Sequence, residues 1–375
     1  MNYGKFLSYA FLFFSFAQQG FILASACASQ ATQSDEFNDS CVDLAFSLFP
    51  GSHLHLMGDD GVCPDFSLRM LDRVGAMGEI AQAVPFAENG VMAVMGDNNL
   101  VRYATNSEGY RCRTINLGED TSTIRQIRPI SEKRFGFLEA NGKLIIVNQN
   151  EGETYSSRTI SCRPPIISFA LSSNGEHSLF GFGNAVHNIQ LRYTQSGVDG
   201  DIRDEHFSML PQVKAIEATR DCSRCVVADE RGDFRVIDYD NDFAAGRITH
   251  CQTPLREVAF LALAANGKTV VVGSQKRLLV YKEKEPNSWR GQELEPHHAG
   301  LTGVAVSDSG DNVVVGDSRG CVTMLKKFPY LGWQKLGEYY EGSGAPCKSV
   351  YLWGKKIIAA YPQRIAVIDD PYIEA

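Results

Sequence analysis

Residues Val258 to Lys282 read VAFLALAANGKTVVVGSQKRLLVYK. The apolar run Val258–Leu263 stops at Asn266-Gly267. Thr269–Val272 follows as a dense β-branched run, and Gly273–Arg277 leads into Leu278–Tyr281. Strand, turn, strand, turn, strand in about 25 residues is an antiparallel meander, with Asn-Gly supplying the positive φ that a tight hairpin needs. Three strands are marginal in water because their faces stay wet. The meander therefore implies copies of itself.

The copies are present. The turn between the first two strands falls at Asn89-Gly90, Glu132-Lys133, Asn174-Gly175, Asp221-Cys222, Asn266-Gly267, Ser309-Gly310 and Trp353-Gly354, and the second residues are spaced by 43, 42, 47, 45, 43 and 44. After each turn come a strand, a short loop and a further strand, as in Cys225–Ala228 and Phe234–Ile237. A strand-only repeat with a period in the low forties signals a β-propeller. The spacing predicts an all-β fold with seven blades.

Leu301–Leu325, LTGVAVSDSGDNVVVGDSRGCVTML, resembles the blade pattern of WD40-type propellers, with His297-His298 just ahead, where that family often keeps a histidine. The resemblance runs from Ile80 to Asp370. It departs from the family in having no Trp-Asp pair at the end of any third strand: Ile237-Asp238 and Ile368-Asp369 stand there in two repeats, and Tyr103, Tyr193 and Tyr281 in three. Without the family's Asp–His–Ser–Trp network, apolar packing between sheets must hold the blades. The seventh repeat runs out of chain near Asp370. Phe66–Val74, a strand with no neighbour of its own, is the expected donor of its outer strand, closing the ring and removing its free edges. The domain reading is a leader at 1–28, an extension at 29–64 and a propeller at 65–375.

The totals agree. An apolar share of 44% supplies a large core, and 21% charged residues is ordinary for a globular chain. A net charge of −8 argues against a general nucleic-acid binder, which would carry a basic face.

Met1–Ala28 stands apart. Lys5 precedes the apolar Phe6–Phe16, and Ala24-Ser25-Ala26 and Ala26-Cys27-Ala28 are both small-x-small sites. This is the pattern of a secretory signal peptide and predicts an exported chain, periplasmic or secreted. Cys27 also resembles the lipid-bearing cysteine of bacterial lipoproteins, with Leu23 one residue too early for that motif. Removing Cys27 from the ten cysteines leaves nine, an odd set with at least one thiol unpaired within the chain. Cys41 with Cys63 is the preferred bridge in an oxidising compartment, and buried free thiols are the ordinary alternative.

Motifs that could carry chemistry are weak in context. Gly316-Asp317-Ser318-Arg319-Gly320 matches G-x-S-x-G but lies between two strands, where a nucleophile elbow needs a strand-to-helix turn. Cys222-Ser223-Arg224-Cys225 has no second pair to complete a zinc site and spans a hairpin turn. Asp238, Asp240 and Asp242 open like a calcium loop, but Phe243 stands where Gly is required. His53 and His55 lack a third ligand and read as loop. No cofactor is implied.

What remains is surface. Lys276, Arg277, Arg319 and Arg364 occupy the equivalent loop in three consecutive repeats, with His297 and His298 beside them. Asp97, Glu139, Asp229, Glu230 and Asp233 occupy it in the first, second and fourth. The expectation is a two-signed face whose basic arc takes an acidic protein partner. The expected function is a monomeric, non-enzymatic protein-interaction scaffold. The alternatives are a hydrolase- or lactonase-type propeller enzyme with a central-channel site, or a secreted host-directed effector.

Overall fold

The computed structural model describes residues 53–56, 67–72, 78–86, 90–96, 99–106, 109–115, 123–131, 133–150, 154–160, 165–172, 177–183, 185–194, 197–201, 212–239, 245–294 and 300–369. The leader at 1–28, Cys27, the Cys41–Cys63 pair and His297-His298 lie outside the described residues. Every regular element described is a strand. Among the described residues no helix is long and apolar enough to cross a membrane.

The described strands form seven antiparallel sheets. In chain order six of them span 80–115, 124–160, 168–201, 213–251, 260–294 and 301–340. The seventh joins 349–369 to Ser67–Asp72. We refer to these as blades one to seven. Each first strand touches the first strands of the blades on either side, so blade seven also meets blade one and the sheets stand round a common axis as a propeller.

Local chemistry places the turns. Gly267, Gly310 and Gly354 close their first hairpins at φ of 69°, 76° and 55°. Cys222 takes the same place in blade four at φ 58°, a conformation that costs an L-residue roughly 1–2 kcal/mol. The second strands are the most apolar and are buried almost throughout, as in Thr269–Gly273 and Asn312–Asp317. They are covered on both faces, which is why they read as continuous runs rather than alternating ones.

Apolar packing between neighbouring blades supplies the core, as expected without the Trp-Asp network. Each interface has its own cluster. Phe86 and Phe135 meet edge to face between blades one and two, with ring centroids 5.3 Å apart. Phe234 meets Tyr281 between blades four and five at 4.9 Å. Leu71, from the strand before blade one, packs with Ile365 and Val367 of blade seven and Val91 of blade one. Burial of one such side chain is worth about 1.5–3 kcal/mol, so each interface cluster is a large stabilising term.

Ser67–Asp72 pairs antiparallel with Arg364–Asp369, from Ser67 opposite Asp369 to Asp72 opposite Arg364. One detail differs from the sequence reading. His53–Leu56 is not loop but a short strand, a fifth one on the outer edge of blade six, paired with Gly332–Tyr340. In blade three the second and third strands, His177–Phe182 and Ala185–Thr194, are separated by only two residues. The small residues Gly181, Gly183 and Ala185 conceal a hairpin there, because no apolar alternation marks its start.

Candidate functional site

The connections between second and third strands share one motif in alternate blades. Glu139-Ala140-Asn141-Gly142, Asp229-Glu230-Arg231-Gly232 and Asp317-Ser318-Arg319-Gly320 each begin with an acid and end with Gly at φ of 81°, 92° and 84°. In each, the glycine N–H donates to the acid's own carbonyl, at 2.9, 3.3 and 3.2 Å. The carboxylate of Asp317 also accepts from the Arg319 and Cys321 N–H groups, both at 2.8 Å. That of Asp229 accepts from Arg231 and Asp233 at 2.9 and 3.2 Å. A side chain at Gly320 would put its Cβ 2.3 Å from the Ala345 carbonyl oxygen of the next connection. Glycine there serves both the turn and the close approach of the next blade.

This turn chemistry redraws the expected two-signed face. Glu139 and Asp229 are only 3% and 2% exposed, so they are turn anchors and not an acidic surface. Asp233 faces His250 at 3.3 Å and accepts from the Thr253 N–H at 3.0 Å. Asp97 lies outside the described residues. A D-x-x-G or E-x-x-G count along the sequence would have separated these anchors from free charges.

The basic positions lie on one end of the ring in blades five, six and seven. Their turns are stitched together by one backbone and one side-chain bond: the Leu301 N–H donates to Gln275 O at 2.8 Å, and the Tyr361 hydroxyl to Gly320 O at 3.3 Å. Lys276 and Arg319 are exposed. Arg277 is clamped by Glu293, with Nε and Nη2 donating at 2.6 and 2.7 Å, while Nη1 donates to Pro254 O at 2.8 Å. The Arg277 fork holds the Glu293 carboxyl below its usual range. Arg364 lies 3.3 Å from the almost fully buried Glu341 carboxylate. Two of the four cations are thus already engaged.

All seven first strands line the central channel, which widens into a cavity of about 540 Å³. Its wall is mostly apolar. Among the described residues four charged side chains line it, and they form two pairs. Arg128 of blade two donates from Nη1 to Glu217 Oε2 of blade four at 2.6 Å. Arg220, just beyond the first strand of blade four, pairs with Asp308 of blade six. Each pair links a blade to the next but one. Burial pushes the Glu217 carboxyl up, against the pull of the Arg128 charge.

The remaining motifs are structural. Cys222 and Cys225 are free and buried in the core between blades three and four. Burial raises both thiols, Cys225 to about 12, the reverse of what a reactive thiol needs. Gly316–Gly320 is a strand-to-strand turn, so Ser318 sits on no elbow. Asp238 is held by Arg224, which also donates to Glu283 of blade five at 2.7 Å. Among the described residues no group of three metal-ligating side chains converges.

No protein-family model matches the chain, and no curated protein matches it by sequence. Among solved structures, the crystal structure of the Myceliophteria thermophila Cps50 (Swd1) β-propeller domain superposes with a TM-score of 0.61 at 13% identity. The match covers 80% of this chain and 99% of that one. The chain has the fold of a WD40-like β-propeller, a likeness that carries fold and not activity.

Proposed function

We propose that this chain is a non-enzymatic protein-interaction scaffold, a seven-bladed ring closed by its N-terminal strand and working in an exported compartment. The carrying observation is the state of the channel. Its charged side chains, Arg128, Glu217, Arg220 and Asp308, are engaged with one another across alternate blades. A hydrolase or lactonase would need a carboxylate or histidine presented unpaired to substrate in that channel. The export reading rests on the leader pattern of Met1–Ala28.

The partner surface is the turn end of blades five to seven. Lys276 and Arg319 are its exposed cations, while Arg277 and Arg364 are held by Glu293 and Glu341 and shape the rim. Loops on a rigid ring are the usual carriers of function, and an acidic partner surface complements this arc. The test is a pulldown from native extract with wild type beside Lys276→Glu/Arg319→Glu. The reversal leaves the clamped arginines in place, so the fold is undisturbed. Loss of an acidic partner from the variant supports the reading. Equal recovery of the same partners by both proteins moves the docking surface elsewhere on the ring.

A further inference from the structure

The hairpin joining the outer strands of blade six, Cys321–Phe328 and Gly332–Tyr340, carries Tyr330 and Leu331 at its tip. They are 98% and 70% exposed, the most exposed large apolar side chains among the described residues. The tip is an ordered turn. Phe328 pairs with Gly332, which sits at φ 73°, and the Leu331 carbonyl accepts from Gln334 Nε2 at 2.8 Å. The backbone therefore holds both side chains out into water, where they stabilise nothing within the ring.

The strands behind the tip are basic. Lys326 and Lys327 end the first of them, and Lys282 and Lys284 come alongside from blade five. Burial and then the neighbouring Lys282 and Lys284 charges hold the Lys327 amine below its usual range, so these cations crowd one another. The acids in the neighbourhood are largely taken. Asp311 binds Lys282 at 2.5 Å, Glu338 binds Lys335 and Glu283 binds Arg224, leaving Glu285 on the adjoining hairpin. Lys282 also lies over the Trp333 ring, 5.6 Å from its centroid.

We propose that this hairpin docks the propeller on an anionic lipid surface, with Tyr330 and Leu331 entering the acyl boundary and Lys326, Lys327 and Lys284 meeting the headgroup phosphates. The spacing fits. A strand advances about 3.3 Å per residue, which sets Lys327 roughly 10 Å behind the tip. Interfacial apolar groups sink about 5–10 Å, so a seated tip leaves the amines at phosphate level. The tip is a three-residue turn, Pro329–Leu331, a narrow projection that enters a fluid surface without needing a matching groove. Arg319 precedes the strand Cys321–Phe328 and Tyr330 follows it, so the basic arc lies at the opposite end of the blade and stays free while the tip is seated.

Co-sedimentation of the full chain with phosphatidylcholine vesicles, alone or mixed equally with phosphatidylglycerol, tests this. Wild type should pellet with the anionic vesicles and not the neutral ones, and should be released by salt. Tyr330→Ser/Leu331→Ser should lower the binding at least about tenfold with unchanged melting, since both side chains are outside the core. Lys326→Gln/Lys327→Gln should lower it about twenty-five-fold, at roughly fivefold per lysine. Brominated acyl chains should quench tryptophan emission in wild type and not in the tip variant, because Trp333 is in the hairpin, just behind the tip. Absence of vesicle binding overturns the proposal, as does binding that the tip variant retains in full. A tip variant that binds vesicles normally but loses a protein from native extract also overturns it, and makes the hairpin a protein contact.

Discussion

Arg128 and Glu217 meet inside the channel from blades two and four, with Nη1 2.6 Å from Oε2. Nη2 donates to Glu217 Oε1 as well, and to Ile216 O at 3.4 Å. The first strand of blade three, Ser168–Leu171, lies between their blades in ring order and is only four residues long. Removing one member of a buried pair leaves an uncompensated charge and costs about 3–5 kcal/mol, whereas removing both costs much less. Arg128→Met should destabilise by roughly 3 kcal/mol in urea at neutral pH, and Arg128→Met/Glu217→Leu by clearly less. Burial already pushes the Glu217 carboxyl up, and loss of Arg128 pushes it further. A raised carboxyl contributes stability at low pH that fades as pH rises, so the single variant should be less impaired at about pH 5 than at pH 7. A double-variant cost equal to the sum of the Arg128→Met and Glu217→Leu costs would show that the pair is not coupled.

The pairing of Ser67–Asp72 with Arg364–Asp369 joins the two ends of the chain in one blade. Deleting 65–74 removes Leu71 from the core between blades seven and one and bares the edge of Arg364–Asp369. A ring opened at one seam behaves as a linear array, in which cooperativity weakens. The truncated protein should unfold over a broadened transition, with a reduced denaturant slope. Unchanged melting would mean that this blade is held without its N-terminal strand.

Asp317 shows how the arc is braced. Its carboxylate takes the Arg319 and Cys321 N–H groups, and its carbonyl takes those of Gly320 and Cys347. Asp317→Ala leaves buried donors without an acceptor, at about 1–3 kcal/mol. Asp317→Asn keeps one acceptor oxygen and should recover much of that loss. Thermal melts of the two variants give the comparison, and equal loss in both would deny the turn role.

The repeat period and the all-β class were legible because a low-forties spacing of turns is set by blade geometry itself. The pairing of charges was not. Arg277 and Arg364 read as free cations because their glutamates, Glu293 and Glu341, lie in other elements, and only the fold brings them within 3.3 Å. Asp229 and Glu139 read as surface acids because charge alone does not reveal a carboxylate turned back on its own loop. The strand His53–Leu56 was hidden for a related reason. Four residues with two histidines have no apolar alternation to find, and their pairing with Gly332–Tyr340 depends on an edge nearly three hundred positions away. The Arg128–Glu217 pair was equally invisible, since both residues look like ordinary polar members of a strand.

The buried thiols give the stability a defined alkaline limit. Burial pushes Cys225 to about 12, Cys251 to about 11 and Cys321 to about 12. In the unfolded chain a thiol ionises near 8.5. Above that pH the unfolded state sheds protons that the folded state keeps, so each buried thiol favours unfolding progressively as pH rises towards its folded value. Stability should hold level up to about pH 8 and then fall, by on the order of 1–2 kcal/mol per thiol near pH 10. Urea midpoints at pH 7, 8, 9 and 10 measure it. Cys225→Ala/Cys321→Ala should be less stable at neutral pH from lost packing, yet its midpoint should fall less steeply above pH 8. Parallel slopes for the two proteins would place the alkaline loss in other groups. Native-state alkylation at pH 8 provides the second reading: Cys222, Cys225, Cys321 and Cys347 should resist the reagent until denaturant is added, while the half-buried Cys112 reacts first.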